Sequence, residues 1–470
     1  MVWRDSMNPV AMRRVALVAP QVSLRRVLVE VADSGLVEVD RAVGEGGDGH
    51  VDGAAEELLR RMPGGPAAPV LVPDVPDLER WAREERRDLV AGEAELEQVS
   101  AAAVSRGSVG AVLGWMPQDA VAPLADRVAG CGGAVVPLRP PPGVQPPTLL
   151  AQRGASRGFS PLVETYATVP YVDVDPSVLA GLAYIAMFGM MFADVGHGAL
   201  LLLAALAVRA GRWPRLERLR PVWLFLAGAG AASMVFGALY GEFFGPTGVI
   251  PVLWVEPLEH PVELLGVAVG VGAVLLAGAY ALGTVNRFRE GGWRDAVYAP
   301  SGLAGSSVFL GLGAVLGGVL MGWGWLTALG VALGAGGLVV ASVGLYAAAG
   351  GGGAGVAEAA VEVVDLVVRL GSNLVSFARL AAFGLTHAAL GLVIWQAATA
   401  LADRGGGALV GAVVVFLAGN AVAFGLEGLV AAIQALRLEY YELFSRVFAG
   451  VGRPFRPWRV PTVHPSEVSS

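Results

Sequence analysis

Two patterns of hydrophobic and polar positions divide the chain. Up to about residue 165 short apolar runs alternate with polar ones, and from Val178 onward the sequence is almost continuously apolar. In the first part, residues 11–41 carry a β-type run, then apolar positions at helical spacing, then Gly35 and Leu-Val-Glu-Val-Asp40. That order predicts strand, turn, amphipathic helix, glycine stop and strand. Residues 42–70 are rich in Gly and Ala, with one short helical stretch. Leu78 to Val104 alternates charged and apolar residues at helical spacing and reads equally as a coiled-coil arm or a solvated surface helix. Residues 109–117 and 119–125 repeat the strand-then-helix order, and the proline-rich run from Leu138 reads as a linker.

The second part breaks into apolar segments near 177–208, 221–244, 261–285, 299–322, 325–349, 360–402 and 408–445. The first contains its own break point, Asp194-Val-Gly-His197-Gly. Arginine placement supplies the orientation. Arg209, Arg212, Arg215, Arg218 and Arg220 follow the first segment; Arg287, Arg289 and Arg294 occupy 286–298; and Arg446, Arg453, Arg456 and Arg459 sit in or just before the tail. The 245–260 connection has no Arg and carries Glu256 and Glu259. A cytoplasmic N-terminal domain and a cytoplasmic loop cannot flank one crossing, so the first segment is expected to cross twice, turning near Gly196. The result is an all-α polytopic membrane domain of about eight transmembrane helices, the last two long and tilted, behind a small α+β cytoplasmic domain. The expected boundaries are 1–165 for the cytoplasmic domain, 166–450 for the membrane domain and 451–470 for a cytoplasmic tail.

Composition agrees: 55% of the 470 residues are hydrophobic and 16% charged, with a mean hydropathy of +0.60, which places the chain among integral membrane proteins. The single cysteine, Cys131, excludes an intrachain disulfide. Met1-Val-Trp-Arg-Asp lacks the apolar core of a signal peptide, so the N-terminal domain is expected in the cytoplasm. All 33 basic residues are Arg. Without Lys there is no P-loop of the usual type and no Schiff-base chemistry. The net charge of −7 gives no sign of nucleic-acid binding.

Against that background the polar residues within the last two segments stand out. A charge at the bilayer centre costs about 2.5–3.5 kcal/mol on insertion scales, so an intramembrane arginine needs a partner, a wet cavity or a task. Ser372, Ser376, Arg379, Phe383 and His387 recur at three or four and share one helix face, with Asp365 and Arg369 toward the inner side. Asn420, Glu427 and Gln434 repeat at seven, with Arg437 three beyond. On antiparallel helices His387 and Glu427 both approach the outer surface, and the two arginines lie nearer the middle. Two titratable paths separated by a fixed positive charge would make a proton relay with a barrier, since Arg does not release its proton. The plainer alternatives are a static Arg379–Glu427 pair and a packing role for His387. The 350–353 glycine run reads as a flexible linker, and Asp194 and His197 as helix-hairpin residues or as part of the site.

Ser376-Phe-Ala-Arg379-Leu-Ala-Ala-Phe-Gly-Leu-Thr-His387-Ala resembles the S-Y-x-R-L-x-A-L-x-L-A-H-A motif of subunit a (subunit I) of vacuolar/archaeal-type rotary ATPases. Glu427-Gly through Arg437-Leu-Glu to Phe448 resembles that family's last helix, Phe188 to Gly198 its F-G-x-M-F-x-D-x-G-H-G signature, and Tyr240-Gly-Glu242-Phe-Phe-Gly fits as well. Residues 13–20 and Gly114-Trp115-Met-Pro117 look like its cytoplasmic lobes, in a short form of the 116 kDa subunit family whose coiled coil and distal lobe look much reduced. The resemblance implies a stator subunit in which Arg379 faces a ring of proteolipid c-subunits and separates two ion half-channels. It implies that His387, Glu427 and Arg437 line or organise the outer half-channel and Asp365 the inner one. Ser372, Ser376, Gln434, Asn420, Asp194, His197 and Glu242 would support them. The implied partners are the c-ring, the peripheral and central stalks and membrane lipid, with no nucleic acid. No cofactor and no metal are expected, and ATP splitting would lie on other subunits. A secondary transporter binding an anion at Arg379 and a membrane scaffold are the alternative readings.

Overall fold

A computed structural model describes residues 8–40, 53–150, 156–211, 214–448, 450 and 452–463. Met1 to Asp5, Arg212 and the 42–52 part of the Gly/Ala-rich segment lie outside the described residues, as do the side chains of Arg215 and Arg218. Two compact units are present. One comprises Pro9–Leu149 with Gly452–Ser470, the other Met1–Asn8 with Leu150–Val451.

The smaller unit is built on an antiparallel sheet of five strands, β1 (Met12–Pro20), β2 (Glu38–Val39), β3 (Val104–Arg106), β4 (Val109–Pro117) and β5 (Ala134–Leu138). The order is β2-β4-β1-β5, with β3 also on β4. β1 is central, pairing Val15 with Gly114 on one side and with Pro137 on the other. The helix α1 (Gln21–Ser34) turns Leu24, Val27, Leu28 and Val31 into the core at helical spacing. Gly35 ends it in the left-handed region at φ 58°, a conformation glycine adopts without steric cost.

Of the two readings of Leu78 to Val104, the coiled-coil arm is not seen among the described residues. The chain forms α2 (Ala54–Arg61), α3 (Leu78–Arg83) and α4 (Arg87–Ala101), with a positive φ at Glu85 between the last two. Leu89, Val90, Leu96 and Val99 of α4 are buried, and a Cβ on Gly92 would overlap the Val70 carbonyl. A helix that docks a neighbouring strand on its glycine cannot project as an arm. The unit's fifth helix, α5 (Val121–Ala129), follows β4 as expected.

The tail completes this core. Trp458 N–H donates to the Val37 carbonyl (2.8 Å), Leu71 N–H to the Pro461 carbonyl (2.9 Å), and Val463 N–H to the Leu71 carbonyl (2.9 Å). Trp458 and Val460 are buried with Val37 and Leu71. The chain leaves this unit after Leu149 and rejoins it at Gly452.

The larger unit has six helices long and apolar enough to span a membrane, plus two shorter apolar ones, among the described residues. After α6 (Ser156–Tyr166) come the short pair α7 (Ser177–Met191) and α8 (Val195–Arg209), then α9 (Trp223–Tyr240). Glycine contacts give their directions. Ile185 and Ala232 mark successive α7–α9 contacts, at Gly228 and Gly189, that advance in the same sense on both helices; α8 contacts run from Gly230 beside Leu202 to Gly237 beside Asp194. Thus α7 and α9 are parallel, and α8 is antiparallel to both. The turn is at 192–194, not Gly196, because the Asp194 carboxylate caps α8 by accepting from His197 N–H at 2.8 Å. Gly196 instead lies inside α8 against the Phe244 ring.

Next come α10 (Pro261–Tyr298), the hairpin of α11 (Leu303–Met321) and α12 (Gly324–Ala348), then α13 (Gly352–Ser376) and α14 (Ala378–Ala402). The last pair forms one 51-residue apolar path, Gly352–Ala402, interrupted at Phe377, whose N–H bonds back three residues to Leu374. The final 40-residue path, Ala408–Val447, comprises α15 (Ala408–Val422), α16 (Gly428–Leu438) and α17 (Ser445–Val447), separated by π-helical turns at Ala423–Glu427 and Glu439–Phe444. Asn286 of α10 ties distant segments together: its amide oxygen accepts from Val174 N–H (3.0 Å) and its NH2 donates to the Val447 carbonyl (3.1 Å).

Candidate functional site

Arg379 lies two residues beyond the Phe377 break, whose buried ring packs on Gly272 of α10. It opens onto a cleft of about 650 Å³ lined also by Asn373, Ser376, Arg437, Tyr440 and Glu442. One guanidinium nitrogen, NH1, is buried without a hydrogen-bond partner, and no carboxylate stands within ion-pair distance of Arg379 among the described residues. In the amide orientation that satisfies its neighbours, Asn373 donates to Glu442 and accepts from Arg446, both at 2.9 Å. Arg446 also stacks 5.5 Å over the Tyr280 ring. This cleft therefore has a braced wall of Asn373, Glu442 and Arg446 beside an unbraced arginine.

The second assembly is closed. His387 Nδ1 and Glu427 Oε2 are 2.5 Å apart, joining α14 to the first π turn of the last path. Aromatic rings wall it in: His387 lies 5.0 Å from the Phe192 ring and 5.6 Å from the His197 ring. His197 in turn lies 5.2 Å from Phe244 and 5.8 Å from Phe424. Asp194 holds the turn with both oxygens, accepting from His197 N–H and from Gly245 N–H at 2.9 Å. Glu242 is buried at the end of α9, its carbonyl accepting from Val195 N–H at 3.0 Å, while Oε2 has no partner.

The structure thus brings together Asp194, His197, Glu242, His387 and Glu427 in one place, and Ser376, Arg379 and Arg437 in another. Glu427 is engaged by His387 rather than Arg379. Asn420 is buried near the first group and donates to the Phe416 carbonyl. Gln434 carries a buried, unpartnered oxygen. Ser372 is exposed on α13, and Asp365 is ion-paired with Arg369 one turn away; neither lines the cleft. Glu442, Asn373 and Arg446 were not singled out by sequence. Spacings of three, four and seven hide Glu442, which is five residues beyond Arg437, the step of the π turn that follows it.

The family model described as the V-type ATPase 116kDa subunit family matches residues 126–245 and 355–460. Apart from Tyr280, the side chains named in both assemblies come from those stretches. Over these two stretches the chain resembles this family. Among curated relatives, the "A-type ATP synthase subunit I" of Aeropyrum pernix is 29% identical over 362 residues, 65% of this chain and 50% of the relative. The protein of the same description from Thermococcus kodakarensis is 26% identical over 374 residues, covering 74% and 54%. That from Archaeoglobus fulgidus is 29% identical over 403 residues, covering 74% and 58%. The chain therefore spans about half the length of the curated relatives it matches. Residues 246–354, which include all of α10 to α12, fall outside the family match, and of the side chains named in either assembly they contribute only Tyr280, beneath Arg446.

Proposed function

We propose that this chain is the membrane stator subunit of a V/A-type rotary ATPase or synthase, carrying two ion half-channels that load and unload carboxylates on a rotating ring. The observation that carries the reading is Arg379: a guanidinium on a membrane helix, facing a cleft, with no carboxylate within ion-pair distance among the described residues. Such a charge calls for a partner, and a ring carboxylate supplied by a neighbouring subunit is the complement. An ionised carboxylate is costly to bury unpaired, so it travels protonated through lipid. Beside Arg379 the charged form is favoured and the proton leaves. The same fixed charge repels an ion that would pass directly from one half-channel to the other.

In this reading His387, Glu427, Glu242, Asp194 and His197 belong to the outer half-channel. The cleft with Ser376, Arg437 and Glu442 belongs to the ring-facing and inner side, and Asp365 with Arg369 marks the inner approach. The arginine-rich connections support a cytoplasmic position for the N-terminal unit and the tail. Its partners would be a ring of small membrane subunits and the stalk subunits of the same complex, with membrane lipid around α10 to α12. The transported ion is a proton or sodium, a choice that rests on the ring.

The test is proximity. In a Cys131→Ser background, Ser376→Cys beside the cleft should cross-link to a ring subunit carrying a cysteine near its carboxylate. An assembled complex that gives no such product sinks the assignment.

A further inference from the structure

His197 is an unusual buried histidine. It is 2% exposed, and neither ring nitrogen makes a well-formed hydrogen bond, the Asn420 backbone being only a marginal neighbour. A neutral imidazole has one donor and one acceptor to satisfy, and aromatic packing satisfies neither. Its Nδ1 lies 3.5 Å from Asp194 Oδ1, beyond a hydrogen bond. The other imidazole in the same pocket is His387, and one ligand atom each from Asp194, His197 and His387 lies within 4.8 Å of the others. All three are buried.

We propose that Asp194, His197 and His387 form a binding site for a divalent transition cation of the zinc class. Two imidazoles and one carboxylate are a donor set that suits Zn²⁺ or Co²⁺ and disfavours Mg²⁺ and Ca²⁺, which prefer all-oxygen shells. Bonds of about 2.0 Å in a tetrahedron set ligand atoms about 3.3 Å apart. The three groups would have to draw together from separations of up to 4.8 Å to close on the ion. Each Asp194 oxygen already accepts one backbone N–H, from His197 and Gly245, and keeps a second lone pair for the metal. Glu427 supplies the outer shell: accepting the Nδ1 proton of His387 leaves Nε2 as the lone-pair nitrogen. Carboxylate-oriented histidines are the usual arrangement around bound metals. A fourth position remains for water.

The inference rests on the geometry of this pocket, not on the rotary reading. The probe is Co²⁺ alone, added to the purified full-length chain in detergent in a Cys131→Ser background. That background removes the chain's only thiol. Expected is binding of about one Co²⁺ per chain with the intense visible bands of tetrahedral coordination, displaced by Zn²⁺. His197→Gln and His387→Gln should each lose those bands, and His260→Gln should keep them. Absence of tetrahedral bands, or their persistence in His197→Gln, overturns the proposal. Should the histidine variants fail to fold, X-ray absorption on Zn²⁺-loaded wild-type chain decides: two imidazole scatterers support the site, and fewer than two overturn it. None of these readouts uses ATP or transport, so their failure leaves the rotary reading standing, and the reverse also holds.

Discussion

The arginine cleft and the histidine pocket lie on the same two helical paths yet are built by opposite rules. In the pocket two of the charged groups answer others on the same chain: His387 meets Glu427, and Asp194 meets two backbone N–H groups, while the His197 ring and Glu242 Oε2 stay unanswered. Rings of Phe192, Phe244 and Phe424 seal the remainder. In the cleft, Glu442 and Arg446 are tied by Asn373, while Arg379 is left with a buried, unanswered nitrogen. A fixed charge without an ion-pair partner points to a partner from outside the chain. A histidine–glutamate pair closed on itself points to work done within the chain.

Removing the unpaired charge should cost most. Arg379→Ala and Arg379→Lys are both expected to abolish ATP-coupled ion transport in an assembled complex, by on the order of 100-fold or more, the size of losing a preorganised electrostatic contact. Lys carries charge, but as a compact, strongly hydrated group that deprotonates when buried. The measurement is ATP-driven acidification, or sodium uptake, in vesicles reconstituted with each variant. Near-normal pumping by Arg379→Ala would remove the difference between the two regions.

Breaking the closed pair should cost less. Glu427→Gln keeps a hydrogen bond to His387 and loses the titratable group. Transport should fall by about tenfold, below the roughly 10²–10⁴ of a full acid–base step, because His387 and water still carry part of the relay. His387→Ala should be milder than Glu427→Gln. The reverse ranking, in complexes that assemble equally, would make Glu427 the structural member of the pair.

Each region was legible in sequence to a different depth. Arg379, Arg437, His387 and Glu427 could be found because polar residues at helical spacing stand out in an apolar run. Their sorting into two assemblies could not. It depends on the vertical match of two antiparallel paths, and two π turns shift the last path so that Glu442 joins Arg437. The short α7–α8 hairpin was readable from its Asp-Val-Gly-His break, though the glycine there serves packing and the aspartate makes the turn. In the smaller unit the β1–α1 order followed from periodicity. The tail's role did not, because a proline-rich extended segment carries no period of its own; only the docked Trp458 and Val460 disclose it.

Two acid groups outside the spans extend the comparison to pH, with opposite signs. Burial, and then the neighbouring Glu290 carboxylate, push the Asp173 carboxyl up to about 7. A raised folded value means that the folded form holds the proton when the unfolded chain has released it. Its contribution is therefore fully present below the ordinary value near 4 and is lost as pH rises through about 7. Hydrogen exchange at Val174, whose N–H is held by Asn286, should accelerate across that window beyond the intrinsic base-catalysed trend. Asp173→Asn should remove the excess, and an unchanged profile in that variant would dismiss Asp173 as its source.

The smallest expected effect is at the tail. The Thr462 hydroxyl, 2.7 Å from Asp33, and then Arg127 hold the Asp33 carboxyl below its usual range against a modest opposing effect of burial. Here the folded value is depressed, so the contribution is present above the unfolded value near 4 and disappears as pH falls through the folded one. Thr462 belongs to the strand of tail that bonds Leu71 on both sides, so protonating Asp33 loosens one end of a segment otherwise anchored by Trp458 and Val460. The group is partly exposed, and exposed pairs contribute little. Only local opening is expected, not release of the tail. Limited proteolysis between Val460 and the C-terminus should quicken slightly below pH 4 in the wild-type chain. Asp33→Asn should show the quicker rate already at neutral pH, while cutting before Trp458 stays slow in both. Equal rates in the two proteins at neutral pH would show that the apolar anchors alone hold the tail.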